Sequence, residues 1–163
     1  MADFSNAASK ISDVVIKVNE FIEKLNKLID KYVDKINDYI EELENTINNN
    51  IDKGTKWLEI KSKPILKKIQ YSLSSLQQKL DNMIKNLKDW YDTQINSIKT
   101  SVIKSSFAKL GVELNNDEAK ILADEIPHPD IETLIPEINL EIELPEISTL
   151  AKNTQITLPR LEI

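Results

Sequence analysis

The chain has 163 residues and an apolar fraction of 40%, enough to build one ordinary core. Its 2 glycines argue against an all-β sandwich or a phosphate-cradling loop, both of which depend on tight turns, and the absence of cysteine excludes disulfides, zinc–thiolate sites and cysteine nucleophiles. The formal charge of −6 is unevenly spread: residues 1–110 carry about 18 lysines against about 15 acids, whereas residues 111–163 carry about 3 basic groups against about 12 acids.

The opening stretch MADFSNAASK lacks a basic segment followed by an apolar run, so a secretory signal is not expected. No apolar run approaches the roughly 18 residues that cross a bilayer. Cytoplasmic synthesis is the expectation, and localisation beyond that is left open.

From Ile11 the apolar residues recur at spacings of four and three: Ile11, Val15, Val18, Ile22, Leu25, Ile29, Tyr32, Ile36, Tyr39 and Leu43. That is a heptad seam over more than four repeats. Val14, Phe21 and Leu28 flank it early, and Val33, Ile40 and Ile47 flank it on the other side later, the drift of a 3.6-residue helix against a seven-residue ruler. So wide a stripe needs two or more neighbouring helices to cover it.

Asn48, Asn49 and Asn50 weaken helix propensity, and Gly54 is suited to closing the helix in the left-handed conformation. Ser62 and Pro64 read as the cap and first turn of a second helix. Its seam is Leu66, Ile69, Leu73, Leu76, Leu80, Met83, Leu87 and Trp90, carried onward by Tyr91, Ile95, Ile98 and Val102 to a stop at Gly111. Two helices of roughly 45 residues, each about 65 Å long, are predicted. They form either an antiparallel hairpin or a kinked coiled-coil stalk, since Trp57, Leu58 and Ile60 could pack across the end of a hairpin or continue a rod.

Residues 112–126 read as a linker and short helix, capped by Asn115 or Asn116 and carrying Asp117 and Glu118 in its first turn, where the helix dipole favours acids. In residues 127–163, prolines at 127, 129, 136 and 145 forbid helix. Ile138, Leu140, Ile142 and Leu144 alternate with Asn139, Glu141 and Glu143, so an extended β-type arm with one apolar face is predicted, continuing to Ile147. The triplet PEI recurs at 136–138 and 145–147, and ITLPRLEI at the end has a related rhythm. With no other strand to pair with, the arm must bury its face on the helices, on the same arm of other copies, or on a foreign protein. Three arms around a threefold axis would point leucine and isoleucine inward and keep the glutamates apart.

The domain plan is thus a mainly α chain: a coiled-coil or hairpin region over 1–111, a short helix and linker over 112–126, and an assembly arm over 127–163. The candidate interfaces are the two helical seams and the arm face Ile138, Leu140, Ile142, Leu144 and Ile147.

Residues suited to catalysis are sparse. His128 stands alone between two prolines, where a solvent-facing turn is expected rather than a metal ligand. Glu41, Glu42 and Glu44 are assigned to the exposed side of the first helix. No phosphate loop, nucleophile elbow or kinase signature occurs, so neither catalysis nor a cofactor or metal is expected. Arg160 is the only arginine and the lysines are interspersed with acids, so nucleic acid is not an expected partner.

The expected function is therefore a non-enzymatic structural protein: a homo-oligomeric stalk or connector, a trimer by first expectation, with a protein partner in a larger assembly. Long helices followed by an intertwining extended terminus resemble, in general plan, the fibrous and connector parts of virus or bacteriophage particles. The alternative is an amphipathic-helix protein lying on a lipid surface; the regular seam and the acidic C-terminal part make membrane binding the weaker expectation.

Overall fold

The computed structural model describes residues 5–135, 138, 140–150 and 155–162. The protein is mainly helical, with two long helices, as the apolar spacing predicts. Helix α1 spans Ser5–Asn48 and α2 spans Thr55–Lys109, separated by a 3-10 turn at Ile51–Lys53. Three short helices follow, α3 at Asn116–Ala123, α4 at Ile131–Leu134 and α5 at Ile147–Leu150.

The turn between the long helices differs in detail from the expectation. Gly54 has φ +93° and ψ 160°, an extended conformation open only to glycine, rather than the left-handed helical one. α2 starts directly after it, the Leu58 N–H donating to the Gly54 carbonyl at 3.1 Å. The helix therefore begins at Thr55 and not at the predicted cap Ser62, and it includes Trp57, Leu58 and Ile60. Pro64 lies inside it. The ring removes the N–H that would bond the Ile60 carbonyl. Both Ile60 and Pro64 are exposed, so the freed carbonyl faces solvent and the helix persists.

Contacts sort the chain into two compact units, each drawing on both long helices, a division different from the three-part plan 1–111, 112–126 and 127–163. The first unit comprises Met1–Leu25 and Asn82–Pro136. Ile11, Val14 and Val18 of α1 meet Leu87, Tyr91 and Ile95 of α2 there, and Ile131 of α4 closes the cluster. α2 ends in a Schellman motif at the predicted stop: the Val112 N–H donates to the Phe107 carbonyl at 2.9 Å and the Gly111 N–H to the Ala108 carbonyl at 3.0 Å. Gly111 supplies the required positive φ, +81°. α3 then packs Ala119 and Ala123 on Ile103. Its N-terminus is a capping box, Asn115 accepting from the Glu118 N–H at 2.8 Å while Glu118 accepts from the Asn115 N–H at 3.2 Å.

The second unit comprises Asn26–Asp81 and Glu137–Ile163. Here the chain reverses at the 3-10 turn, and Ile36, Ile40, Leu43 and Ile47 pack on Leu58, Ile65 and Ile69. Lys68–Glu42 at 3.9 Å and a Lys79–Tyr32 hydrogen bond mark the antiparallel register. The C-terminal region completes this core with Ile147, Ile156, Leu158 and Leu161.

The predicted β-type arm is the main departure. No strand occurs among the described residues, and Ile131–Leu134 and Ile147–Leu150 are helical turns. Alternation of side chains suffices for one buried face but not for a strand, which needs a neighbour to share its backbone bonds. Ile142, Leu144 and Ile147 bury against helices of their own chain instead.

Pro64→Ala returns an N–H to that position, free to bond the Ile60 carbonyl on the solvent face. The expected result is a stabilisation of about 1–3 kcal/mol, read as a higher midpoint in chemical denaturation.

Candidate functional site

The predicted seam residues are all covered to some degree. Ile11, Val18, Leu25, Ile29, Ile36, Ile69, Leu76, Leu80 and Leu87 are buried, while Val15, Ile22, Tyr32, Leu66, Leu73, Met83 and Trp90 are half-buried. On the first part of α2 the deepest stripe is displaced from the predicted one and runs through Leu58, Ser62, Ile65, Ile69, Ser72, Leu76 and Leu80. Its two serines conceal the pattern from an apolar count. Of the arm residues, Ile147 is buried, and Ile138, Leu140, Ile142 and Leu144 are half-buried. Pro136, Glu137 and Asn139 lie outside the described residues. His128 is exposed, with its ring 6.1 Å from that of Tyr91.

The most specific polar geometry is found where residues 156–161 cross α1. Asn37, Glu44 and Asn48 are seven and four residues apart, which places them along one face of the helix. Asn48 treats Ile156 as a neighbouring strand would: its Oδ1 accepts the Ile156 N–H at 2.8 Å, and its Nδ2 donates to the Ile156 carbonyl at 2.9 Å. Asn37 repeats the arrangement on Leu161, with Oδ1 accepting at 2.7 Å and Nδ2 donating at 3.1 Å. Between them Glu44 accepts the Leu158 N–H at 2.7 Å. The same carboxylate receives the Arg160 guanidinium, Nη1 at 3.2 Å and Nη2 at 3.5 Å, and Nη1 also donates to the Leu158 carbonyl at 3.0 Å.

The spacing follows from two rises per residue. Eleven helical residues from Asn37 to Asn48 cover about 16 Å, and five extended residues from Ile156 to Leu161 cover about 16 Å as well. The segment runs opposite to α1, and Ile156, Leu158 and Leu161 drop into the core formed by Ile36, Ile40, Leu43 and Ile47. Pro159, which has no N–H, occupies a position where none is asked for.

The sequence reading assigns Glu44 to an exposed face together with Glu41 and Glu42. Those two are exposed, but the Glu44 side chain retains only 17% of its accessibility. The Leu158 N–H, followed by Arg160, holds its carboxyl below the ordinary 4.5 against the opposing effect of burial. Asn37, Asn48 and Arg160 do not stand out as binding residues by type or spacing alone. The available signal is three polar residues at helical spacing beside the apolar positions Ile36, Ile40, Leu43 and Ile47 of α1, matched by a later Ile-x-Leu-Pro-Arg-Leu.

Residues 138–147 are held differently. Ile142, Leu144 and Ile147 overlie Leu66, Ile69 and Leu73 around a cavity of about 320 Å³. A second recess of about 380 Å³ lies by Leu73, Gln77, Ile138 and Leu140. In the first unit, Tyr91 donates a hydrogen bond to the Pro129 carbonyl and Lys88 pairs with Glu132 at 2.5 Å. An open cleft of about 550 Å³ there is lined by Asn96, Thr100, Lys104, Asn116 and Lys120. Lys99 is buried nearby, its pKa lowered by desolvation and only partly restored by Asp124. Among the described residues no group of three or more acids or histidines could hold a metal, and no helix is long and apolar enough to cross a membrane.

The chain matches no known family model, no curated protein and no solved structure.

Asn37→Ala and Asn48→Ala each strip one segment residue of both side-chain bonds. Each should cost about 1–3 kcal/mol and speed hydrogen exchange at Leu161 and Ile156 respectively, with little change in the first unit. The acid response of Glu44 has a fixed sign. Its folded pKa is depressed, so its stabilisation is complete above the unfolded value near 4.5 and disappears as pH falls through the lower folded value. Thermal melting below pH 4.5 should therefore fall more steeply in the parent than in Glu44→Gln, which has no charge to lose.

Proposed function

We propose that this chain is a non-enzymatic assembly protein, an oligomeric helical connector whose C-terminal arm ties it to its own copies or to a neighbouring protein. The comparison in kind is with the fibrous and connector parts of virus or bacteriophage particles. The observation that carries the reading is the fastening of residues 156–161: side chains address both the donor and the acceptor of Ile156 and of Leu161. That is how a protein recognises an extended peptide by its backbone. A trailing tail has no use for it.

The helix surfaces add a second support. Ile60 and Tyr71 are 70% and 76% exposed in the second unit. Eleven residues apart, they fall on one side of α2, where another protein surface could cover them.

Light scattering on the full chain should give a mass that is a multiple of one copy, with three copies the first expectation. The chain ending at Leu150, checked for retained helicity, should show a lower order or a weaker complex. A single-copy mass at every concentration would remove the reading. Liposome flotation gives the competing outcome, because robust binding by a monomer would favour the lipid-surface alternative.

A further inference from the structure

We propose that the Asn37–Glu44–Asn48 face is an exchangeable docking site, and that its partner in the assembly is residues 156–161 of a second copy of this chain. The inference rests on the assembly reading above and names the contact that would join the copies. Four observations support it.

The site is complete on the helices. Among the described residues, the side chains that grip the segment's backbone belong to α1, and the core beneath comes mainly from α1 and α2 of the same unit, with Ile147 of the arm at its edge. A segment arriving from another copy would find identical partners, so exchange requires no new interaction.

The requirements are narrow, and this chain meets them. The groove asks for buried apolar residues at positions 156, 158 and 161, free N–H groups at the same three, and a guanidinium within reach of Glu44. Arg160 is the only arginine in the sequence, so the guanidinium can come from no other part of any copy. A lysine would be a poor substitute, because the fork reaches Glu44 through two nitrogens while one of them also holds the Leu158 carbonyl.

The lead into the segment is held more loosely than the segment itself. Ile138, Leu140, Ile142 and Leu144 are half-buried beside recesses of about 320 and 380 Å³, whereas Ile156, Leu158 and Leu161 are no more than 7% exposed. Of the described lead residues only Ile147 is buried in that core, so release uncovers one fully covered side chain besides these half-buried ones. The grip is local to the terminal residues.

The charge distribution also favours approach. Residues 111–163 are strongly acidic and residues 1–110 carry the lysine excess, so one copy's C-terminal region is attracted to another's helices. Because the intramolecular and intermolecular contacts are the same, their balance is set by the concentration of copies against the effective concentration of the chain's own segment. Crowding into an assembly would drive exchange.

A charge-swap mixture tests this. Glu44→Arg sets two guanidinium groups against each other at the latch of one chain. Arg160→Glu sets two carboxylates against each other in a second chain, so neither variant can latch to itself. Together they rebuild one native latch, the Glu44→Arg chain lending its unaltered segment to the unaltered groove of the Arg160→Glu chain. A donor dye at Thr157→Cys on the first and an acceptor at Asp38→Cys on the second report it, both positions being exposed.

Energy transfer in the mixed pair is expected to exceed that in either same-variant mixture by about fivefold or more, with helicity of both chains checked by circular dichroism. Transfer equal to the same-variant mixtures overturns the proposal. If a variant fails to fold, parent chains carrying only the dyes give the answer: transfer should grow on incubation and fall with excess unlabelled chain, and its absence overturns the proposal equally. The two readings can fail separately. Parent chains that scatter light as oligomers yet show no transfer would defeat arm exchange and leave the assembly reading standing. Single copies without transfer would defeat both.

Discussion

A backbone donor or acceptor removed from water must find a partner, and residues 156–161 have no strand beside them, among the described residues, to provide one. Their apolar side chains nevertheless belong to the core of the second unit. Burying Ile156, Leu158 and Leu161 draws their peptide groups toward the helix surface, where an unmet N–H would cost about 1–3 kcal/mol. Asn37, Glu44 and Asn48 remove that obstacle. The asparagine amide suits the task because it carries a donor and an acceptor side by side, the same pair that a peptide unit presents. Glu44 is used where two donors converge, the Leu158 N–H and the Arg160 guanidinium, and where no acceptor but a charged one could serve both well.

This arrangement also shows how residues 156–161 are held in extended form with no strand beside them among the described residues. Helix α1 supplies both halves of what a sheet would offer. Its apolar face receives Ile156, Leu158 and Leu161, and its flanking polar residues replace part of a hydrogen-bond ladder. Earlier in the arm, Ile138, Leu140, Ile142 and Leu144 are only half-buried. The same chain thus contains a softly held stretch followed by a firmly held one.

Much of the helical architecture can be read from residue spacing. The α1 seam, the Gly111 stop and the Asn115 cap depend on local chemistry, and local chemistry is what a single sequence expresses. The start of α2 is harder to place. Ser62 and Pro64 form a convincing entry signal, yet Leu58 and Ile65 gain more by joining the buried stripe than the chain loses at one solvent-facing proline. Ser62 and Ser72 on that stripe hide its position from an apolar count. The groove is illegible for another reason. Asn37 and Asn48 resemble any surface asparagine until Leu161 and Ile156 are placed beside them, 124 and 108 residues away in sequence. Glu44 groups with Glu41 and Glu42 because helical position alone does not reveal that a distant segment covers one of the three.

The unequal spacing of the three grips carries information of its own. From Asn48 to Glu44 the helix rises about 6 Å and from Glu44 to Asn37 about 10 Å. The segment matches these with two extended residues, about 7 Å, and then three, about 10 Å. Were it laid down in the opposite direction, three residues would face the short interval and two the long one, an error of roughly 4 Å at each step. A side-chain amide taken singly could pair with a peptide unit in either polarity. The sequence of intervals cannot, and Pro159 restricts the register further, since a slip of one residue in one direction would set it opposite Glu44, where an N–H is needed. Direction and register are therefore set by the α1 face itself, not by the connection that delivers the segment to it, and this is the property that a docking site shared between copies would require.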